Sequence, residues 1–238
     1  MTFRLKRRAM PKSWPIGRKG SKWILRTAPG PHSLEESLPV ALVLRDLLKT
    51  ANSSREVRKL LREGKVFIDG KVVKDPSRGL GLMDVLSLGA PPSQHYRMLK
   101  SRLGKLEIRS IPTEEAKVKL ARIRFKHTVP GGKVALTLHD GRNLLVAANT
   151  QYRVGDTLRL ELPTHKVVSR MALSPGVLAY ISGGSHVGEV GHIDRIEVVP
   201  SSEPNKVHFK EGFSTIKEYT FVVGETSPAI ALLDTVTK

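Results

Sequence analysis

Apolar positions repeat with a helical period in two places in the first third of the chain and alternate like strands through most of the rest. In "SLPVALVLRDLLKTA" (37–51), Leu38, Leu42, Leu44, Leu47 and Leu48 fall on one broad helical face. The pattern is sharper in "SSREVRKLLREG" (53–64). Ser53 and Glu56 have the spacing of a capping box, and Gly64 is a natural stop. At about 100° per residue, Val57, Leu60 and Leu61 share one face, and Arg55, Arg58, Lys59 and Arg62 share the other. The pattern predicts a half-buried helix with a basic stripe, with Glu56 and Glu63 at its side. The next segment, "GKVFIDGKVVKDPS" (64–77), sets Asp69-Gly70 between two β-branched runs, which predicts a tight hairpin with a type I′ turn. Lys65, Lys71 and Lys74 flank it.

Further on, "YRMLKSRLGKLEIRSIP" (96–112) reads as strand, and Thr113 as the cap of a short helix carrying Glu114, Glu115, Lys117 and Lys119. "GGKVALTLHDGRNLLV" (131–146) is a second hairpin turning at Asp140-Gly141, and "TLRLELP" (157–163) is a strand entered through Gly155-Asp156. "GVLAYISGG" (176–184) reads as a strand and turn, and "VGEVGHIDRIEVV" (187–199) as two short strands bent at Gly188 and Gly191.

Charge changes this picture because it is segregated. The formal net charge of +18 lies entirely in residues 1–126, which hold 29 basic and 11 acidic side chains; residues 127–238 hold 11 of each. A localised surplus points to a polyanion: nucleic acid first, an anionic membrane second. The first 39 residues hold five prolines and no sustained period, so long helix or strand is not expected there. Their basic residues are Arg4, Lys6, Arg7, Arg8, Lys12, Arg18, Lys19, Lys22 and Arg26, with no acidic residue before Glu35. Such a segment is expected to be disordered alone and ordered by a polyanion. Trp14 and Trp23 lie between the basic clusters, where they either stack on bases or sugars or pack on the next domain.

A resemblance joins these pieces. Residues 38–85 resemble an S4-type RNA-binding domain, a helix–turn–helix followed by a small β element. "LKRRAMPKSW" (5–14), "RKGSKW" (18–23), "PGPH" (29–32) and "GLMDV" (81–85) resemble the ribosomal protein S4e family of archaeal and eukaryotic small subunits. "TEEAK", "KL" and "HDGRN" (113–117, 119–120 and 139–143) are similar to that family's central β-rich domain, and the glycine-containing C-terminal strands to a KOW motif in an SH3-like barrel. The resemblance implies an α+β multidomain chain: a basic extended tail over 1–37, the S4-type RNA-binding domain over 38–92, a central β-rich domain over 93–172, and the KOW/SH3-like barrel with closing strands over 173–238. The last 13 residues, "TSPAIALLDTVTK", depart from the family's expected ending and are assigned no contact.

Other chemistry finds little support in the residues. In "GGSHVGEVGHI" (183–193), Gly183 and Gly188 have the spacing of a phosphate-binding loop. Glu189 and Val190 stand where lysine and serine or threonine belong, and a strand follows where a helix should start. His139-Asp140 lacks the three or four converging ligands of a metal site and reads as a turn beside a packed or RNA-facing histidine. Cysteine is absent, which excludes disulfides and thiolate metal sites. No apolar run approaches the roughly 18 residues of a membrane span, and the basic N-terminus lacks the apolar stretch of a secretory signal.

The expectation is a non-enzymatic constituent of the small ribosomal subunit, cytoplasmic and ribosome-bound. It has no cofactor, metal, catalytic residue, small-molecule substrate or membrane partner. Its partners are small-subunit ribosomal RNA and neighbouring ribosomal proteins. The residues expected on RNA are Arg4, Lys6, Arg7, Arg8, Lys12, Trp14, Arg18, Lys19, Lys22, Trp23, Arg55, Arg58, Lys59, Arg62, Lys65, Lys71 and Lys74. The alternatives are an extraribosomal regulator or transcription/RNA-processing factor with the same domains, and an RNA-modifying enzyme, which would need a catalytic pocket or nucleotide site.

Overall fold

The structure, a computed structural model, describes residues 4–89, 92–147 and 151–232; the last six residues of the unassigned C-terminal tail lie outside the described residues. The chain forms two compact units, Met1–Lys119 with Leu162–Thr164, and Leu120–Glu161 with His165–Lys238.

In the first unit, β1 (Arg4–Lys6) pairs antiparallel with β2 (Trp23–Leu25), setting Arg4 opposite Leu25 and Lys6 opposite Trp23. β3 (Ser37–Pro39) leads into α1 (Val40–Leu42), which continues as a π-helical turn, Val43–Leu47. α2 (Ser54–Arg62) follows, then β4 (Val66–Ile68), β5 (Lys71–Val72), β6 (Gly79–Gly81), β7 (Val85–Gly89), β8 (Pro92–Lys100), β9 (Leu106–Ile111) and α3 (Thr113–Ala116). β3 pairs with β6, and a five-stranded sheet runs β5-β4-β7-β8-β9. In a core of this unit, Leu38, Val40, Leu42 and Leu44 pack with Val57 and Leu61 of α2 and with Val66, Leu86 and Met98 of the sheet.

The helical face expected over residues 38–48 is real from Val40 onward, but Leu38 lies in β3, opposite Leu80. The π turn is closed by Leu48 N–H donating to Val43 C=O at 2.9 Å. At α3, the capping position is Pro112, and Thr113 is the first helical residue.

The tail is not the disordered arm that its charge suggested. Met10, Trp14 and Ile24 are buried in the core of the first unit, with Leu5, Ile16 and Leu25 packed against it. Trp14 Nε1 donates to Leu34 C=O at 3.4 Å, and Ser13 C=O accepts from Leu106 N–H at 2.7 Å. The apolar residues between the basic clusters supply what the charge pattern conceals: surface removed from water when the segment folds back on the domain.

The second unit is almost wholly β. β10 (Val118–Val129), whose first two residues belong to the first unit, is followed by β11 (Lys133–Leu138), β12 (Asn143–Ala147), β13 (Thr157–Glu161) and β14 (Lys166–Met171). They form a sheet in the order β12-β11-β10-β13-β14. β15 (Leu178–Ile181), β16 (Val190–Glu197), β17 (Lys206–Phe209), β18 (Ser214–Ile216) and β19 (Thr220–Gly224) form another, in the order β18-β17-β16-β15-β19. Each sheet has its own core: Ile123, Leu136, Leu158 and Leu160 in the first, Ala179, Ile181, Ile193 and Phe209 in the second. The two bent strands expected over 187–199 are instead one strand, β16, with a bulge between Ile193 and Arg195; Gly188 precedes it in a turn at φ 80°. The fold is therefore mostly β, with few helices among the described residues.

Candidate nucleic-acid interface

The basic face of the first unit is built from local sequence. Ser53 Oγ accepts the Glu56 N–H at 3.3 Å, and the Glu56 carboxylate accepts from Asn52 N–H at 2.7 Å, one residue earlier than in the standard reciprocal cap. With the helix start fixed, Val57 and Leu61 turn into the core and Arg55, Arg58, Lys59 and Arg62 are all exposed. Lys59 and Arg62 also fall in the last turn, where the helix dipole favours cations. Gly64, at φ 69°, ends the helix.

The hairpin follows at once. Asp69 at φ 51° and Gly70 at φ 74° make the expected type I′ turn, in which both central residues need positive φ. Lys65, Lys71 and Lys74 are exposed beside it. Lys65 reaches Glu63 at 2.6 Å, and that hydrogen bond holds the Glu63 carboxyl below its ordinary value, so one cation at the hairpin root is partly neutralised. The remaining basic groups make the surface predominantly positive, with Glu56 and Asp75 exposed beside them, and such a surface suits a phosphate backbone.

Beneath this surface lies a buried ionic cluster that pattern reading missed. Lys119 Nζ donates to Asp69 Oδ2 at 2.9 Å and to Asp84 Oδ1 at 2.5 Å. Asp84 Oδ2 is 2.9 Å from His32 Nε2 and accepts Gly81 N–H at 2.9 Å. Asp69 Oδ1 accepts Val85 N–H at 3.1 Å. Burial alone would raise the Asp84 carboxyl; the charges of His32 and Lys119, and their hydrogen bonds, outweigh it and hold Asp84 well below the usual carboxylate range. Nearby, burial brings the Arg97 guanidinium down to about 10, opposed by Glu115 and Asp69, and its Nη2 donates to Glu115 C=O and Val118 C=O at 3.1 and 2.9 Å. The cluster ties the tail at His32, the hairpin turn at Asp69 and the start of β10 at Lys119 to one point. No spacing rule reveals it. Its sequence trace is that "PGPH", "GLMDV" and the "KL" after "TEEAK" each contribute one member.

In the tail, Arg4, Lys6, Arg8, Lys12, Lys19, Lys22 and Arg26 are exposed. Two expected RNA ligands also shape the tail itself. Arg7 Nε donates to Gly17 C=O at 2.7 Å, and Arg18 donates to Arg8 C=O and Met10 C=O at 3.3 and 3.2 Å. The tryptophans divide. Trp14 is 2% exposed, so its ring packs in the core and is withdrawn from the set expected on RNA. Trp23 is 45% exposed, with Lys22 Nζ 5.7 Å from its ring centroid.

The glycines of "GGSHVGEVGHI" serve the sheet. Amides a phosphate would need are already used: Gly188 N–H donates to Ile181 C=O at 2.8 Å, Glu189 N–H to His186 C=O at 3.2 Å, and His192 N–H to the Glu211 carboxylate at 2.9 Å. A Cβ on Gly183 would meet the Tyr219 ring at 2.7 Å, so close packing accounts for that glycine. His139 is packed, edge-on to Phe221 at 5.2 Å between ring centroids, with Nδ1 accepting from Arg122 N–H. Asp140 is buried in the turn and accepts Arg142 N–H at 3.2 Å.

Comparison with known proteins decides the family. Residues 1–35 match the RS4NT (NUC023) domain, 47–86 the S4 domain, and 93–167 Ribosomal family S4e. The small ribosomal subunit protein eS4 of Methanocella arvoryzae is 41% identical over 229 residues, spanning 95% of this chain and 96% of that protein. The chain belongs to the ribosomal S4e family. A second S4e relative, from Methanothermobacter thermautotrophicus, is 39% identical over 96% of this chain and 95% of its own. The crystal structure of the 30S ribosomal protein S4e from Thermoplasma acidophilum matches at 35% identity with a TM-score of 0.71, covering 80% of this chain and 96% of that one. The S4e family is one of structural ribosomal proteins, not of enzymes.

Proposed function

We propose that this chain is a structural constituent of the small ribosomal subunit that clamps ribosomal RNA through the tail and the S4 domain. One observation carries the reading: Arg55, Arg58, Lys59, Arg62, Lys65, Lys71 and Lys74 are all exposed on one continuous helix-and-hairpin segment whose Val57, Leu61, Val66, Ile68 and Val73 are turned into a core. Such a surface follows folded RNA by shape and phosphate rather than by base sequence. The names of the relatives, small ribosomal subunit protein eS4, support the same assignment.

Within it, residues 1–37 form a basic segment folded onto the S4 domain of 38–92, and 93–172 a central β-rich domain. Residues 173–238 form an SH3-like barrel with a KOW motif, joined by the closing strands. The neutral second half acts as a spacer and contacts neighbouring ribosomal proteins. The chain works in the cytoplasm, bound to the ribosome. The test is sedimentation of cell extract through high-salt gradients, with this chain expected to travel with the small subunit. Recovery only as free protein, or with a transcription complex, would favour the extraribosomal reading.

A further inference from the structure

A groove of about 240 Å³ lies in the first unit where the folded-back tail meets the helices. Its floor is apolar, with Ile24, Ala41 and Leu42 buried beneath it. Trp23 forms part of its wall, and Arg4 of β1 and Arg58 of α2 stand exposed at its rim. Arg45 completes the rim. It is held in place by the Asp46 carboxylate at 2.8 Å and by Ser54 Oγ at 3.2 Å. No acidic side chain lines the groove among the described residues.

These features select a ligand. A lone phosphate uses the arginines and leaves the apolar floor idle. A purely apolar group does the reverse and leaves the arginine rim unused. A unit with a flat ring next to an anionic group uses both, and the volume falls below the roughly 300–1,000 Å³ of sites for larger molecules. Aromatic side chains beside a cationic track are how proteins hold single unpaired bases. We propose that the groove takes one unpaired nucleotide of the bound RNA, its base against Trp23 and the apolar floor and its phosphate between Arg4 and Arg58. The proposal rests on the RNA-binding reading above and adds to it. The stripe of α2 and the hairpin grips duplex backbone without discrimination, whereas the groove recognises an extruded nucleotide, making the fold-back of the tail part of the recognition.

The test uses the full chain and two RNA hairpins with the same number of phosphates. Both share one loop; one has a fully paired stem, and the other carries a single unpaired nucleotide in its stem. Binding is followed by anisotropy, and tryptophan emission is recorded in the same titration. The unpaired form should bind at least about 5-fold tighter to the wild-type protein, the scale of one stacked base. It should also quench the part of the emission that comes from Trp23, the exposed ring, because the buried Trp14 ring is out of reach of a stacked base. Trp23→Ala should reduce the preference to about 1, because it weakens binding of the unpaired form more than that of the paired form. Trp23→Phe should keep most of the preference and lose the quench. Trp23→Leu, which keeps the apolar contact of β2, serves in place of the alanine variant if that fails to fold. Salt-dependent binding of both hairpins with no preference, or a preference that survives Trp23→Ala, overturns the groove but spares the RNA reading. Absence of salt-dependent binding to either hairpin overturns the RNA reading and the groove with it.

Discussion

Replacing Lys119 by methionine removes the charge that two buried carboxylates share. Lys119 is 0% exposed, and its ammonium meets Asp69 at 2.9 Å and Asp84 at 2.5 Å. Asp69 would keep the Val85 amide, and Asp84 would keep the Gly81 amide and His32. Breaking a buried ion pair from one side typically costs about 3–5 kcal/mol, because the abandoned charge stays out of water. That is a large part of a total stability of about 5–15 kcal/mol. With a urea slope near 2 kcal/mol/M, the midpoint should fall by about 2 M. Tryptophan emission suits the assay, because the only tryptophans, Trp14 and Trp23, both lie in the first unit.

Acid supplies the sign. Asp84 has a depressed folded value, so its contribution is complete above the unfolded carboxylate value of about 3.9 and is lost as pH falls through the folded value. The wild type should therefore weaken on acidification below about pH 4, and the gap to Lys119→Met should close there as the orphaned carboxylates protonate. A triple variant, Lys119→Met with Asp69→Asn and Asp84→Asn, should be less damaged than the single one at neutral pH, since neither carboxylate is left charged without its lysine. A loss under about 1 kcal/mol for the single variant, or a gap that widens in acid, would refute the reasoning.

Three further outcomes are expected. Changing Arg55, Arg58, Lys59 and Arg62 to glutamine should lower the salt slope of RNA binding by up to about 3–4, near 0.9 per phosphate lost, with little change in melting temperature because all four are exposed. Trp14→Ala should cost about 3–5 kcal/mol in a denaturant titration, since the ring is buried in the core; a loss below about 1 kcal/mol would show that the tail does not dock. Gly81→Ala should destabilise the first unit by about 1–3 kcal/mol in calorimetry, because the added methyl meets the His32 ring; an unchanged Tm would mean the ring is free to move aside.

What could be read from the sequence was local. α2 was legible because its cap, its period and its stop lie within a dozen residues, and because Val57 and Leu61 face one core. The Asp69-Gly70 turn was legible because its backbone angles restrict which residues fit. Long-range pairing decided the rest. Leu38 carries a helical pattern, yet its partner is Leu80 in a strand. Trp14 and Trp23 sit in similar basic surroundings, and only the path of the tail, with Leu34 accepting from Trp14, sends one inward and leaves the other out. Asp69 looked complete as a turn residue, and its second role depends on a lysine 50 positions away. The π turn leaves no mark in a 3.6-residue period. Charge segregation picks out the half proposed to bind RNA, but it misjudged the tail, where apolar residues between the cations outweigh their repulsion.

The central claim is that the first unit holds the RNA and the second half is largely a spacer. Crosslinking within the intact small subunit, with peptide mapping, tests it most directly. RNA adducts should concentrate on the exposed basic tail residues and on residues 55–74. Adducts concentrated in residues 127–238 instead, with α2 and the hairpin unmodified, would contradict it.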